Sequence, residues 1–191
     1  MKRKLLAIAM AFVLFNIPLV QEVNSFIILS TSKDWTIYLI NQAFPKDFLN
    51  EIDIHVVDAE CLRYNKTDNE CLAIGIYRGK YYGIEIADDE KWRYDLNHTI
   101  LHEYGHHIWY YYLTKEQKLS WEINYNETKG SSEYGKTNIK EDFADYYAGY
   151  ELNFNVIGDY HKIKYRNETR ERILDEILRK YPQFDVRNIT F

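Results

Sequence analysis

The segment His102-Glu103-Tyr104-Gly105-His106 brings together side chains that could bind a metal ion and move a proton. Residues four apart lie on one face of a helix, so both imidazoles could bind the same ion. Glu103 lies about 100° further round the helix, where it could reach a water molecule on the open side of that ion. Zinc lowers the pKa of such a water toward about 7, and Glu103 could accept its proton during attack on a carbonyl. The pattern predicts metal-assisted hydrolysis with Glu103 as the general base.

The remaining histidines offer one competing pair. His98 precedes His102 by four residues, so these two could chelate instead of His102 and His106. That pair would have Thr99 in the place of Glu103 and would lack a base. Three further histidines fit ordinary polar positions outside the ligand set: His55, His107 and His161.

A catalytic zinc needs three protein ligands and one open position, so a third ligand must follow the first helix. The downstream segment 141–148 is predicted to be helical and places Glu141 and Asp145 on one face. We favour Glu141 as the third ligand. The alternative is that Glu141, three residues after Asn138, is an acidic residue that stabilises the start of the helix.

The two motifs HEYGHH and EDFADYYA resemble the gluzincin metallopeptidases, whose pattern is HExxH followed by ExxxD/E. They resemble in particular the catalytic domain of anthrax-toxin lethal factor and the secreted Pro-Pro endopeptidases. The resemblance covers roughly residues 72–152. It implies one Zn²⁺ per chain, bound by His102, His106 and Glu141, with Glu103 as general base.

The same resemblance assigns roles to two further residues. Tyr134 lies seven residues before Glu141, and the resemblance implies that its phenol stabilises the oxyanion. Asp145 would be a carboxylate that orients a ligand histidine. The sequence departs from the family here, because Asp145 stands where glutamate is commoner.

The predicted elements place strands mostly first and helices after, which is typical of an α+β fold. Strands are predicted at Phe26–Leu29, Ile52–Val57, Leu72–Tyr77 and Tyr81–Ala87, the last two flanking a hairpin turn at Arg78-Gly79-Lys80. Helices are predicted at Asp34–Phe44, at Asp95–Tyr112, from Asn138 to about Leu152, and at Thr169–Tyr181. A further helix is predicted to begin at Thr114, where Gln117 would complete a capping box. Gly105 would cost its helix up to about 1 kcal/mol, which predicts a packing role.

The resemblance implies a zincin-like metallopeptidase domain. A small twisted sheet would pack on the HExxH helix, with a second ligand-bearing helix behind it. Strand Tyr81–Ala87 could be the sheet edge that binds an extended peptide by backbone pairing.

The N-terminus predicts export. A basic start is followed by an apolar run from Leu5 to Phe15, too short for a membrane span. Residues 1–25 are therefore predicted to be a signal peptide, with an uncleaved anchor as the alternative, and residues 26–191 a single catalytic domain.

In an oxidising compartment Cys61 and Cys71 would form a disulfide rather than remain free thiols. The chain has five Asn-x-Ser/Thr sequons, at Asn65, Asn97, Asn126, Asn167 and Asn188, which fits an exported glycoprotein.

These observations together predict a secreted zinc-dependent endopeptidase acting on a protein or peptide, without stable membrane association once the signal is cleaved. An uncleaved segment would leave it on the outer face of the membrane. The net charge of −5 argues against a general nucleic-acid binder. The alternative function is a secreted, toxin-like or binding module that holds zinc without turnover, and a zinc amidase is a third. The oligomeric state stays open.

Overall fold

The computed structural model describes residues 34–67, 70–89, 91, 95–154, 161–164 and 166–187. The helices are α1 (Asp34–Ala43), α2 (Lys46–Leu49), α3 (Leu96–Tyr111), α4 (Lys115–Thr128), α5 (Ile139–Glu151) and α6 (Glu168–Lys180), with 3₁₀ turns at Gly135–Thr137 and Pro182–Phe184. The strands are β1 (Ile54–Val57), β2 (Arg63–Tyr64), β3 (Cys71–Ala73), β4 (Gly75–Tyr77) and β5 (Ile84–Ala87). The predicted α+β class is confirmed. The predicted signal peptide, the strand Phe26–Leu29 and the sequon at Asn188 lie outside these residues.

The main sheet has the order β1-β5-β4, with β1 parallel and β4 antiparallel to β5. The prediction that Tyr81–Ala87 forms the sheet edge is therefore wrong. β5 is central, because Ile84 and Ile86 are buried and β1 pairs along its whole length. The edge strand next to α3 is β4.

The predicted strand Leu72–Tyr77 is split at Ile74, where the chain changes partners. β3 pairs with β2 in a separate two-stranded ribbon, whereas β4 joins the main sheet. The ribbon carries the Cys61–Cys71 disulfide, whose Cα atoms lie 5.7 Å apart, and this prediction is confirmed. Closing so short a loop typically contributes about 2–3 kcal/mol.

The hairpin between β4 and β5 is longer than predicted. Gly79 and Gly83 both adopt positive φ, so the chain turns through Tyr81 and Tyr82, and pairing resumes where the Gly83 carbonyl accepts a hydrogen bond from the N–H of Arg78. The side chains of Tyr81 and Tyr82 are 91% and 74% exposed. They therefore belong to the turn and not to the strand.

Local sequence signals account for how the helices begin. Thr114 and Gln117 form the predicted capping box at the start of α4. The side chain of Asn138 accepts hydrogen bonds from the backbone N–H groups of Lys140 and Glu141 at the start of α5. The cap of α5 is thus supplied by Asn138, and the side chain of Glu141 is directed elsewhere.

Helix α3 is central in the fold and packs against both the sheet and α5. A Cβ atom on Gly105 would lie 2.6 Å from the Cα of Ala144, so the glycine permits a close approach of α3 and α5. The core that surrounds this contact is formed by large apolar and aromatic side chains from the sheet and both helices: Ile54, Ile84, Ile86, Ile100, Leu101, Tyr104, Phe143 and Tyr147. Within the described residues, no helix has the length and apolar character needed to cross a bilayer.

Candidate metal centre

Two facing helices bring three potential ligand atoms together. The Nε2 atoms of His102 and His106 on α3 lie 3.0 and 3.2 Å from Oε2 of Glu141 on α5. Two ligand atoms of a tetrahedral zinc site, each about 2.0–2.1 Å from the metal, are separated by about 3.3 Å. The described side chains thus form a His₂Glu group that could hold a cation, and its donor set is one that zinc uses.

Asp145, one helical turn after Glu141, contacts the other nitrogen of His102. Its Oδ1 lies 2.9 Å from Nδ1 of His102, and its Oδ2 accepts a hydrogen bond of 2.5 Å from the hydroxyl of Ser132. Burial alone would lower the pKa of His102, but hydrogen bonds to Asp145 and Glu141 outweigh it and raise this pKa to about 10. The same histidine holds the pKa of Asp145 well below its usual range, although burial opposes this effect. An ionised Asp145 accepts the Nδ1–H of His102, so Nε2 is the nitrogen of this ring that faces Glu141.

Glu103 is held between α3 and the edge strand β4. Its Oε2 accepts a 2.7 Å hydrogen bond from the backbone N–H of Tyr77. A Cβ atom on Gly75 would lie 2.5 Å from the side chain of Thr99 and 3.1 Å from Glu103, so a glycine is needed for this approach. Glu103 is only 7% exposed and lines a cleft together with His106 and Glu141. One oxygen is therefore fixed by the backbone beside the His₂Glu group.

Tyr134 lies in the segment that precedes α5 and faces the same cleft. Its ring centroid is 5.5 Å from that of His102 and 4.9 Å from that of His161. Burial raises the pKa of the Tyr134 phenol well above its usual value, with further increases from Glu141 and Glu103. The hydroxyl stays protonated at neutral pH and can donate a hydrogen bond.

A buried polar network fixes the segment that carries Tyr134. Oδ1 of Asp142 accepts hydrogen bonds of 2.6 Å from both the backbone N–H and the hydroxyl of Ser131, and its Oδ2 accepts one from the indole of Trp121. Arg170 on α6 forms a fully buried ion pair of 2.9 Å with Asp142. Removing one partner of such a pair typically costs about 3–5 kcal/mol. The sequence analysis did not identify Asp142 or Arg170, because a buried pair between two helices leaves no local pattern.

The sequence analysis also missed a second group beside the first. Nδ1 of His161 lies 3.0 Å from Oδ1 of Asp145, and Nε2 of His98 lies 3.9 Å from the same oxygen. His98 could have been noticed from its position one turn before His102. Nothing in the sequence around His161 indicates that it reaches Asp145. The competing pair His98/His102 does not form a common ligand group, because His102 directs Nε2 to Glu141 and Nδ1 to Asp145.

His98 is buried in a neutral form. Its side chain is 4% exposed, and burial lowers its pKa to about 3. Its Nε2 has no hydrogen-bond partner among the described atoms. Leaving such a buried polar atom without a partner costs about 1–3 kcal/mol.

Comparison of the chain with family models, with curated proteins and with solved structures found no match.

Proposed function

We propose that the protein is a secreted zinc-dependent endopeptidase of the gluzincin type with a zincin-like fold. The observation that carries the proposal is the convergence of His102 Nε2 and His106 Nε2 on one oxygen of Glu141, at 3.0 and 3.2 Å. Glu103 follows His102 directly and lines the same cleft. A metal-dependent hydrolase needs both a cation site and a base beside it, and this arrangement supplies both kinds of side chain.

The roles of the chain's own residues follow from their positions. His102, His106 and Glu141 would hold Zn²⁺, which supplies Lewis acidity and a water of lowered pKa when bound. Glu103 accepts the proton of the attacking water and later passes it to the leaving amine. Tyr134 donates a hydrogen bond from its phenol to the carbonyl oxygen as negative charge develops there.

Among the described strands, β4 pairs only with β5, so its other edge offers a way to position the substrate. The carbonyl of Ile74 accepts the N–H of Ala87 and the N–H of Arg78 donates to Gly83, so the backbone groups of Gly75 and Tyr77 between them face away from β5. The Tyr77 N–H already binds Glu103, which leaves Gly75 and the Tyr77 carbonyl for a partner. A peptide paired with this edge would lie in the cleft lined by Glu103 and Glu141.

Substitution Glu103→Gln tests the general-base role. The amide cannot accept the proton of water, so peptide cleavage should fall by about 10²–10⁴-fold. The zinc content should stay unchanged, because the three ligands are untouched. Cleavage of a peptide library by the wild type and by Glu103→Gln, at equal measured zinc content, would measure the loss. Wild-type cleavage by the variant would contradict the assignment.

The metal site needs its own variant, because a zinc-binding module without turnover is the alternative. Glu141→Ala removes one of three ligands and should sharply reduce zinc retained after dialysis. The matched control is Glu133→Ala, an exposed acid in the same segment whose carboxylate pairs with Lys136 and Lys164. Full zinc retention in Glu141→Ala would exclude Glu141 as a ligand. Zinc bound with no cleavage of any library peptide by the wild type would favour the binding module.

A further inference from the structure

We propose that His98, Asp145 and His161 form a second cation site, adjacent to the His102–His106–Glu141 group and distinct from it. The proposal rests on a different set of side chains from the proposed function. It requires only the geometry of the described residues, and no peptidase activity.

The three residues converge from separate parts of the chain. His98 is in the first turn of α3, Asp145 is on α5, and His161 is in the segment that leads toward α6. One potential ligand atom from each lies within 4.8 Å of the other two. The imidazole rings of His98 and His161 have centroids only 4.7 Å apart, at an interplanar angle of 53°. Two imidazoles and a carboxylate oxygen therefore surround one point.

His98 is the residue that hydrogen bonding alone does not explain. Nδ1 of His102 and Nδ1 of His161 lie 2.9 and 3.0 Å from Oδ1 of Asp145, so each of these rings has a partner even without an ion. Nε2 of His98, in contrast, is buried, has no hydrogen-bond partner among the described atoms, and stands 3.9 Å from the same carboxylate oxygen. That distance is too long for a hydrogen bond, but two ligand atoms that each lie about 2.0–2.1 Å from one ion can be up to about 4 Å apart. A cation between these atoms would satisfy the imidazole.

The donor set defines the class of ion. Two imidazole nitrogens and one carboxylate oxygen suit zinc or a related first-row transition metal, whereas Mg²⁺ and Ca²⁺ prefer oxygen ligands. His98 and His161 line a cleft shared with Glu103 and Tyr134, and the fully buried Asp145 lies 3.9 and 3.0 Å from them. The open side of the site thus faces the cleft, where water or a substrate carboxylate could complete the coordination.

The sharing of Asp145 would couple the two sites. Its Oδ1 contacts His102, a residue of the first group, and both histidines of the second group. A carboxylate oxygen has two lone pairs, so it can accept the Nδ1–H of His102 and also bind an ion. A cation there would hold Asp145 and, through it, the ring of His102.

Metal stoichiometry tests the proposal without any substrate. The mature protein, stripped with a chelator, would be titrated with Zn²⁺ and with Co²⁺, and bound metal counted by mass spectrometry and by the cobalt d–d absorption. We expect two equivalents in the wild type. His161→Gln should bind one, and because its side chain is 27% exposed the variant should fold. The matched control His55→Gln removes a strand histidine outside both groups and should still bind two.

A variant of the first site makes the two hypotheses separable. Glu141→Gln should also bind one equivalent, and the double variant with His161→Gln none. One equivalent in the wild type, or two in His161→Gln, would overturn the second site. If Glu141→Gln kept two equivalents while His161→Gln bound one, the second site would stand and the proposed catalytic ligand set would fail.

Discussion

Replacing Gly105 by alanine probes how the contact between α3 and α5 sets the metal centre. The new Cβ would lie 2.6 Å from Cα, 3.1 Å from Cβ and 3.2 Å from the carbonyl oxygen of Ala144. Carbon atoms in ordinary contact are about 3.5–4.0 Å apart, so the two helices must separate by about 1 Å. Overpacking of this kind costs about 1–3 kcal/mol, and the better helix propensity of alanine returns up to about 1 kcal/mol. The free energy of unfolding should fall by up to about 2 kcal/mol.

Zinc affinity should fall together with stability. Glu141 lies less than one turn from Ala144 on α5, whereas His102 and His106 flank Gly105 on α3. Metal–ligand distances tolerate changes of only about 0.2 Å, so a helix displacement of about 1 Å separates the ligands from one another. We expect zinc affinity to fall by at least about 10-fold, which corresponds to about 1.4 kcal/mol.

Competition with a chromophoric chelator would measure zinc affinity, and urea unfolding of the metal-free protein would measure stability. Gly149→Ala is the matched control, because it adds the same Cβ to α5 but meets the side chain of Ile163 at 2.8 Å rather than a helix backbone. That side chain can move, so zinc affinity should stay at the wild-type value. Wild-type zinc affinity in Gly105→Ala would refute the argument that this contact positions the ligands.

Two further predictions concern single polar side chains. Tyr134→Phe should lower turnover by about 10–10³-fold at unchanged zinc content, measured by peptide cleavage under saturating substrate, and unaltered turnover would exclude the phenol as an oxyanion donor. Burial raises the pKa of Glu151 from 4.5 to about 8, and the charge of Asp185 adds to the increase. The hydrogen bond from the N–H of Val186 to Oε2 and the charge of Arg187 oppose it. The native state then holds a proton that the unfolded chain releases, so stability should fall by at most about 5 kcal/mol between pH 4.5 and 8. Urea unfolding at pH 5 and pH 9 would measure this change in stability, which should be smaller in Glu151→Gln than in the wild type. An equal change in both proteins would contradict the raised pKa.

Local sequence signals predicted the elements that carry the site. Thr114 and Asn138 start their helices as expected because a cap needs only residues two or three positions away. The disulfide was predictable because Cys61 and Cys71 are the only two cysteines. The unfavourable glycine at position 105 indicated close packing before any partner was known, and the partner is Ala144.

Long-range partners were the part that the sequence did not reveal. The alternating pattern of β5 indicates a strand, but its parallel pairing joins Ile54 to Ile84 across a long stretch of chain, so the pattern could not tell a central strand from an edge strand. The break at Ile74 has the same origin, because each half of the apolar run follows a different partner strand. His161 was interpreted as an ordinary polar residue because its contact with Asp145 depends on tertiary packing alone.

The spacing of residues on the two facing helices explains why the two groups of ligands occur together. His98, His102 and His106 repeat every four residues on α3, and Glu141 and Asp145 are four apart on α5. Glu141 contacts the C-terminal pair of histidines, whereas Asp145 contacts His102 and lies near His98, so the two helices run in opposite directions. Because His102 is the middle member of its row, it contacts both acids through its two nitrogens. The same register that brings Glu141 to His102 and His106 therefore brings Asp145 to His98, and only His161 has to come from elsewhere in the chain.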